Sequence, residues 1–141
     1  MQLTLATLCD SASDYQGKLC VLGTFDTLCA NQFPVVHPQC SLALRLLFFP
    51  ADAGKHTMSI ELRDEAGKSL MPAINPAIDV VFPSGGAPFI SRNLVLNLQR
   101  VAFEKAGLYF FSISVNEKQL IALPVRVARF EDMRASLGPA G

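Results

Sequence analysis

Alternation of apolar and polar side chains over residues 107–127 constrains the fold more than any other feature of this sequence. The apolar residues of one parity in its first half are Tyr109, Phe111, Ile113 and Val115. Because successive side chains of a strand point to opposite faces, this pattern predicts a strand with one buried face. The pattern resumes after a short polar connection at residues 116–119 and continues to residue 127. The stretch therefore predicts a β-hairpin whose inner face forms part of the core.

The same period of two recurs through most of the chain. It predicts further strands over residues 2–9, 18–25, 41–49, 57–63, 68–71, 77–82 and 92–103. Polar residues 10–17 have the composition of a loop, and the prolines within residues 31–38 predict an extended segment that crosses from one sheet to the other. Only residues 131–137 are expected to form a helical turn. These elements predict an all-β fold, an antiparallel β-sandwich of seven to nine strands.

Length and composition bound the organisation and the partners. At 141 residues, we expect one sandwich domain over residues 1–130 and a short C-terminal tail, residues 131–141, whose last four residues fray. Charged residues make up 17% of the chain and the net charge is zero, so no long-range field favours nucleic acid or an anionic membrane. No apolar run approaches the roughly 20 residues of a membrane span, and the N-terminus lacks the basic region of an export signal. We therefore expect a cytoplasmic protein that binds neither nucleic acid nor membrane.

The four cysteines lie in the first third of the chain: Cys9, Cys20, Cys29 and Cys40. Without any Cys-x-x-Cys pair, they are interpreted as thiols of a reducing compartment. The alternative is a metal or thiol site built on Cys29, His37 and Cys40, with Cys20 or His56 completing it. Zinc sites usually show paired close spacings, and only one His-x-x-Cys step is present here. We therefore assign no catalytic, cofactor or metal residue and predict that the protein is not an enzyme.

Residues 103–111 resemble the tyrosine corner of immunoglobulin-like sandwiches. In that motif a glycine, here Gly107, precedes a tyrosine, here Tyr109, whose ring is buried and whose hydroxyl bonds to backbone a few residues upstream. Over a longer span the chain is similar to a family of short bacterial proteins of unknown function. The matching stretches are residues 22–26, 33–38, 42–48, 93–98 and 103–127. The resemblance implies an immunoglobulin-like β-sandwich and supplies no catalytic residues.

Apolar residues on the predicted outward faces point to association with another protein. These residues are Leu22, Ala43, Leu47, Phe49, Val81, Val95 and Phe110. An apolar patch of this size is larger than isolated monomers usually expose, and an open sandwich also has edge strands able to pair. We therefore predict a homo-oligomer or a subunit of a larger assembly, with Leu47, Phe49, Val95 and Phe110 at the interface. The alternative is a ligand-binding module that uses the end loops at residues 31–38 and 83–88.

Overall fold

The alternating segments form nine strands in the part of the chain that the computed structural model describes, residues 1–137 with side chains as far as Arg134. The strands are β1 (Gln2–Tyr15), β2 (Lys18–Phe25), β3 (Thr27–Ala30), β4 (Val35–Phe48), β5 (Gly54–Asp64), β6 (Ala77–Val80), β7 (Ile90–Phe103), β8 (Gly107–Val115) and β9 (Lys118–Arg129). A 3-10 turn, Pro50–Asp52, and a helix, α1 (Phe130–Leu137), complete the described elements.

The strands are arranged in two sheets that pack face to face. The first sheet has the order β2-β1-β4-β7, and the second has the order β3-β9-β8-β5-β6. Neighbouring strands are antiparallel except β3 and β9, which pair in parallel. The predicted all-β sandwich is therefore confirmed.

The core lies between the two sheets and follows the predicted parity. Its largest fully buried side chains include Leu42, Leu44, Leu46 and Phe48 of β4, Met58, Ile60 and Leu62 of β5, and Phe111 and Ile113 of β8. Burying each such side chain contributes about 1.5–3 kcal/mol, so these three strands supply most of the driving force for packing the sheets.

The hairpin at residues 107–127 forms as predicted, between β8 and β9. Asn116 and Glu117 make its turn, and both have positive φ, 49° and 68°. A two-residue turn of this handedness matches the right-handed twist of the flanking strands.

The predicted loop at residues 10–17 is wrong. β1 continues to Tyr15, and a two-residue turn at Gln16 and Gly17 leads directly into β2. Residues 11–22 thus form a β-hairpin, which we call the arm. The polar residues of this segment are strand residues with one solvated face, which explains why their composition resembles that of a loop.

The arm folds back over the outer face of the first sheet. β1 runs antiparallel to β4, so that Leu5 pairs with Arg45 and Cys9 pairs with Ser41. A straight continuation of β1 would lead away from Arg45. Nevertheless, Arg45 Nη1 donates a hydrogen bond to the carbonyl of Gly17, in the turn beyond β1, at 2.9 Å. Asn93 Nδ2 donates to Asp14 Oδ2 at 2.9 Å. The chain therefore reverses near residue 10 and returns along the sheet. The half-buried side chains of the arm share the parity of Asp14 and so face the sheet; they are Ala12, Leu19 and Val21.

The arm changes the environment of one residue expected to be outward and apolar. Ala43 does lie on the outer face of β4, but it is 0% exposed. It therefore does not contribute to an exposed patch, and the expectation was wrong because the arm forms a partial third layer over this part of the sheet.

Other differences concern short elements. β3, which the sequence did not predict, begins two residues after β2 ends and places the chain in the second sheet before β4 returns to the first. The expected strand at residues 68–71 is wrong, since this segment makes only an isolated bridge at Ser69. The expected helical turn at residues 131–137 is present as α1. The expectation for residues 138–141 lies outside the described residues.

Candidate interaction surfaces

The corner at Gly107 and Tyr109 is a structural element. Gly107 begins β8, and the hydroxyl of Tyr109 donates a hydrogen bond to Lys105 O at 2.6 Å. The Tyr109 ring is buried and packs edge-on against Phe103, with centroids 4.9 Å apart. Burial raises the pKa of the Tyr109 hydroxyl. The corner thus fixes the turn between β7 and β8.

The four residues predicted at an interface are distributed over both sheets. Leu47 follows Arg45 on the outer face of β4, beyond the contact of Arg45 with the tip of the arm, and Phe49 lies directly after the end of β4. Val95 pairs with buried Ala43 and is itself half-buried. Phe110 lies in β8, on the outer face of the second sheet. The four therefore do not form one continuous patch.

Phe110 lies in a shallow groove on the second sheet. It pairs with Arg63 on one side and Pro124 on the other, and the groove has a volume of about 460 Å³. Its other lining residues are mainly polar, including Ser112 and Glu61, and Glu61 forms an ion pair with Arg63. Phe110 is thus half-buried among polar side chains.

Among the described residues, three of the eight exposed large apolar side chains lie together at one end of the sandwich. Phe48 pairs with Ile90, so the following residue Phe49 and the preceding residue Phe89 lie at the same end of the first sheet. Val80 pairs with Gly54 at the adjoining end of the second sheet, which brings Val81 there as well. Phe49, Val81 and Phe89 are 38%, 64% and 50% exposed. We call these three residues the apolar end.

Local backbone contacts fix Phe49 at this position. Its N–H donates to Asp52 Oδ2 at 2.9 Å, across the 3-10 turn. The same carboxylate oxygen lies 2.8 Å from the Met1 amine. The hydrogen bonds from the Met1 amine and from the Phe49 N–H lower the pKa of Asp52. Sequence reasoning did not place Phe89 at the interface, because it precedes β7 in a loop where alternation assigns no face.

The two end loops of the alternative hypothesis lie at opposite ends of the molecule. The first loop leads into β4: residues 31–34 precede this strand and residues 35–38 belong to it. The loop at residues 83–88 approaches the other end of this 14-residue strand, where Phe48 pairs with Ile90. The two loops therefore cannot line a single ligand site. The loop at residues 83–88 instead joins Val81 to Phe89 within the apolar end.

The Cys/His alternative is not supported by the arrangement of its residues. Within the described part of the chain, no three His, Cys, Asp or Glu side chains approach each other as a metal site requires, so Cys29, His37 and Cys40 do not converge. The His37 ring packs against Phe25 with centroids 5.7 Å apart, and its Nε2 is buried with no hydrogen-bond partner among the described residues.

His56 has a structural environment. Its Nε2 lies 2.6 Å from Asp52 O and its Nδ1 lies 2.8 Å from Asn116 Nδ2, so the ring joins the 3-10 turn to the β8–β9 turn. A carbonyl oxygen can only accept, which assigns the proton to Nε2.

The buried thiols are also poorly suited to nucleophilic chemistry. Burial raises the pKa of Cys40 to about 11 and also raises that of Cys9. Both thiols are consequently protonated at neutral pH, the form that is a poor nucleophile.

The described helix, α1, has eight residues, and no helix within residues 1–137 is long and apolar enough to cross a bilayer. The fold and the corner define the class of protein: an all-β sandwich of two largely antiparallel sheets. Residues 4–128 match the model of DUF6941, a family of unknown function, and the chain belongs to that family. A search of curated proteins finds no match. The similarity to an uncharacterised family is thus confirmed.

Proposed function

We propose that the protein is a non-enzymatic, immunoglobulin-like sandwich that works by protein–protein contact, first of all with further copies of itself. The observation that carries the proposal is the apolar end, where Phe49, Val81 and Phe89 are all substantially exposed. Large apolar side chains exposed together mark interaction surfaces, whereas single ones are ordinary. The hydroxyl contact of Tyr109 and the β-sandwich architecture support the immunoglobulin-like assignment.

Charge favours contact between identical surfaces at this end. The segment from residue 80 to residue 91 contains no charged residue, and the whole chain has zero net charge. Two copies can therefore approach through Val81 and Phe89 without like-charge repulsion from this segment, and the Asp52 carboxylate beside Phe49 is already paired with the Met1 amine. A cytoplasmic location belongs to the same proposal, supported by four cysteines that are unpaired thiols.

The test is the molar mass of the wild-type protein by light scattering at micromolar concentrations. We expect a dimer or larger species, and we expect the double variant Phe49→Ser, Phe89→Ser to shift towards monomer. Leu22→Ser is the matched control, because Leu22 is 70% exposed on the arm and away from this end. A wild-type protein that stays monomeric throughout would contradict the proposal.

A further inference from the structure

In the described part of the chain, the outer edge of β7 is unpaired along its whole length. β7 is the last strand of the first sheet and pairs there with β4. Because β7 has no neighbour on its outer side, its side chains are less buried than those of β4. Leu42 and Leu44 of β4 are 0% exposed, whereas their partners in β7, Leu96 and Leu94, are half-buried. An additional strand would therefore complete the hydrogen bonding of β7 and cover its side chains.

The centre of β7, residues 93–99, lacks the features that usually protect a free edge. Its register with β4 is unbroken, and residues 93–99 contain neither proline nor charge. In contrast, the part of β9 that β3 does not pair carries Pro124 and a register shift against β8, and the part of β1 that β2 does not pair has a register shift after Leu3. Prolines, charges and bulges are the usual means by which natural sheets prevent edge pairing. Residues 93–99 of β7 are therefore open to a further strand.

The sequence of this edge is self-complementary. Residues 93–97 read Asn-Leu-Val-Leu-Asn in both directions. In an antiparallel pair centred on Val95, Leu94 would oppose Leu96 of the second copy and Asn93 would oppose Asn97 of the second copy. Such a pair is isologous, because each contact occurs twice about a two-fold axis, and matched aliphatic pairs stabilise neighbouring strands.

We propose that β7 pairs antiparallel with β7 of a second copy, centred on Val95, to join two four-stranded sheets into one of eight strands. This inference rests on the proposed function and identifies the strand that mediates it. Phe89 directly precedes β7, so the edge is continuous with the apolar end. Arg92 is the nearest charged residue of β7 on the N-terminal side of Val95. Its side chain reaches the second sheet, where Nη2 donates to Asp79 O at 3.3 Å. It therefore leaves the centre of the pair uncharged.

The register can be tested by disulfide formation in the full-length chain, with Cys20→Ser as background to remove the exposed native thiol. Directly opposed residues of an antiparallel pair have Cα atoms about 4.5–5.5 Å apart, within the range of a disulfide. Val95→Cys should therefore form a covalent dimer under mild oxidation. Ser91→Cys is the control, because its two copies would be about 27 Å apart at roughly 3.4 Å per residue.

A charge-reversal pair gives a second readout that does not depend on oxidation. Val95→Lys and Val95→Glu each place like charges opposite one another, and each variant alone should be monomeric by light scattering. Mixing the two should restore a dimer, which a misfolded variant could not do. Circular dichroism of each variant reports whether the sandwich is retained.

The results separate this inference from the proposed function. A wild-type oligomer in which Val95→Cys does not cross-link and Val95→Lys leaves the molar mass unchanged would overturn the β7 pairing and leave self-association intact. Equal cross-linking of Val95→Cys and Ser91→Cys would also overturn the register. A monomeric wild-type protein would overturn both.

Discussion

Asn93 of β7 donates from Nδ2 to Asp14 Oδ2 at 2.9 Å, a contact between residues 79 positions apart in sequence. The same amide nitrogen donates to Gly17 O at 3.2 Å. The amide oxygen of Asn93, Oδ1, accepts a hydrogen bond from Arg45 Nη1 at 2.7 Å. One amide side chain thus joins the tip of the arm to two strands of the first sheet. The arm is held by this polar network and by the small apolar side chains beneath it.

Asn93→Ala should release the tip of the arm and raise the pKa of Asp14. The hydrogen bond from Asn93 is the main cause of the lowered pKa of Asp14, followed by the bond from the Gly17 N–H. The arm is therefore held most firmly above the ordinary pKa of about 3.9, and this stabilisation is lost as the pH falls through the lowered value. Carboxyl chemical shifts of Asp14, followed by NMR from acidic to near-neutral pH, measure the change. Asn75→Ala is the control, because Asn75 is exposed. Identical titration curves of Asp14 in Asn75→Ala and in Asn93→Ala would contradict this role of Asn93.

Tyr109→Phe should destabilise the protein by about 1–2 kcal/mol, because Lys105 O loses its hydrogen-bond donor while the ring contact with Phe103 is kept. Tyr15→Phe, on the exposed arm, is the matched control and should be neutral. Chemical denaturation measures both. The pKa of Tyr109 is raised in the folded state. The neutral hydroxyl of Tyr109 therefore stabilises the fold below about pH 10, and this stabilisation is lost as the pH rises through the raised pKa. Equal stabilities of the two variants would exclude a role for the corner.

Gly23→Ala should cost more than Gly17→Ala. Both glycines have positive φ, 69° and 81°, so an alanine at either position adds about 1–2 kcal/mol of backbone strain. At Gly17 the added methyl group meets open space, whereas at Gly23 it would lie 2.5 Å from Asp10 Oδ2. The difference in unfolding free energy between the variants isolates this contact, and we expect about 1 kcal/mol or more. A Gly23→Ala variant as stable as Gly17→Ala would show that the Asp10 side chain moves aside freely.

Iodoacetamide at mildly alkaline pH should label Cys20 rapidly and leave Cys9 and Cys40 unmodified in the native protein. Cys20 is exposed, whereas Cys9 and Cys40 are buried and burial raises both their pKa values. Peptide mass spectrometry after timed labelling gives the rate at each site, and Cys20→Ser should remove the fast phase. Rapid modification of Cys40 in the folded protein would contradict its position in the core.

Alternation was sufficient to predict the core over residues 42–48, 58–62 and 109–115, because every second residue of these stretches is apolar and buried. Leu42, Leu44 and Met58 are examples in which the period alone identifies a residue with no exposed surface. The turn at Asn116 and Glu117 was likewise evident from local chemistry. These features depend on neighbours within a few residues of one another along the chain.

The arm could not be predicted in this way, because its position depends on residues far apart in sequence. Asp14 and Ser13 have the composition of a loop, and only the contacts of Asp14 with Asn93 show that the hairpin lies on the sheet. The burial of Ala43 follows from that contact and not from its own neighbours. The apolar end was missed for a similar reason: Phe89 and Val81 converge only after the strands beside them have paired.

The parallel pair of β3 and β9 bears on the order in which the chain acquires its structure. Thr27 pairs with Arg126, so this edge of the second sheet cannot close until about a hundred further residues have been synthesised after β3. Pairings that span so much of a chain form slowly, since the entropy of closing the loop precedes the energy of the contacts. During translation the β3 segment therefore stays without its partner until the β9 segment has been made.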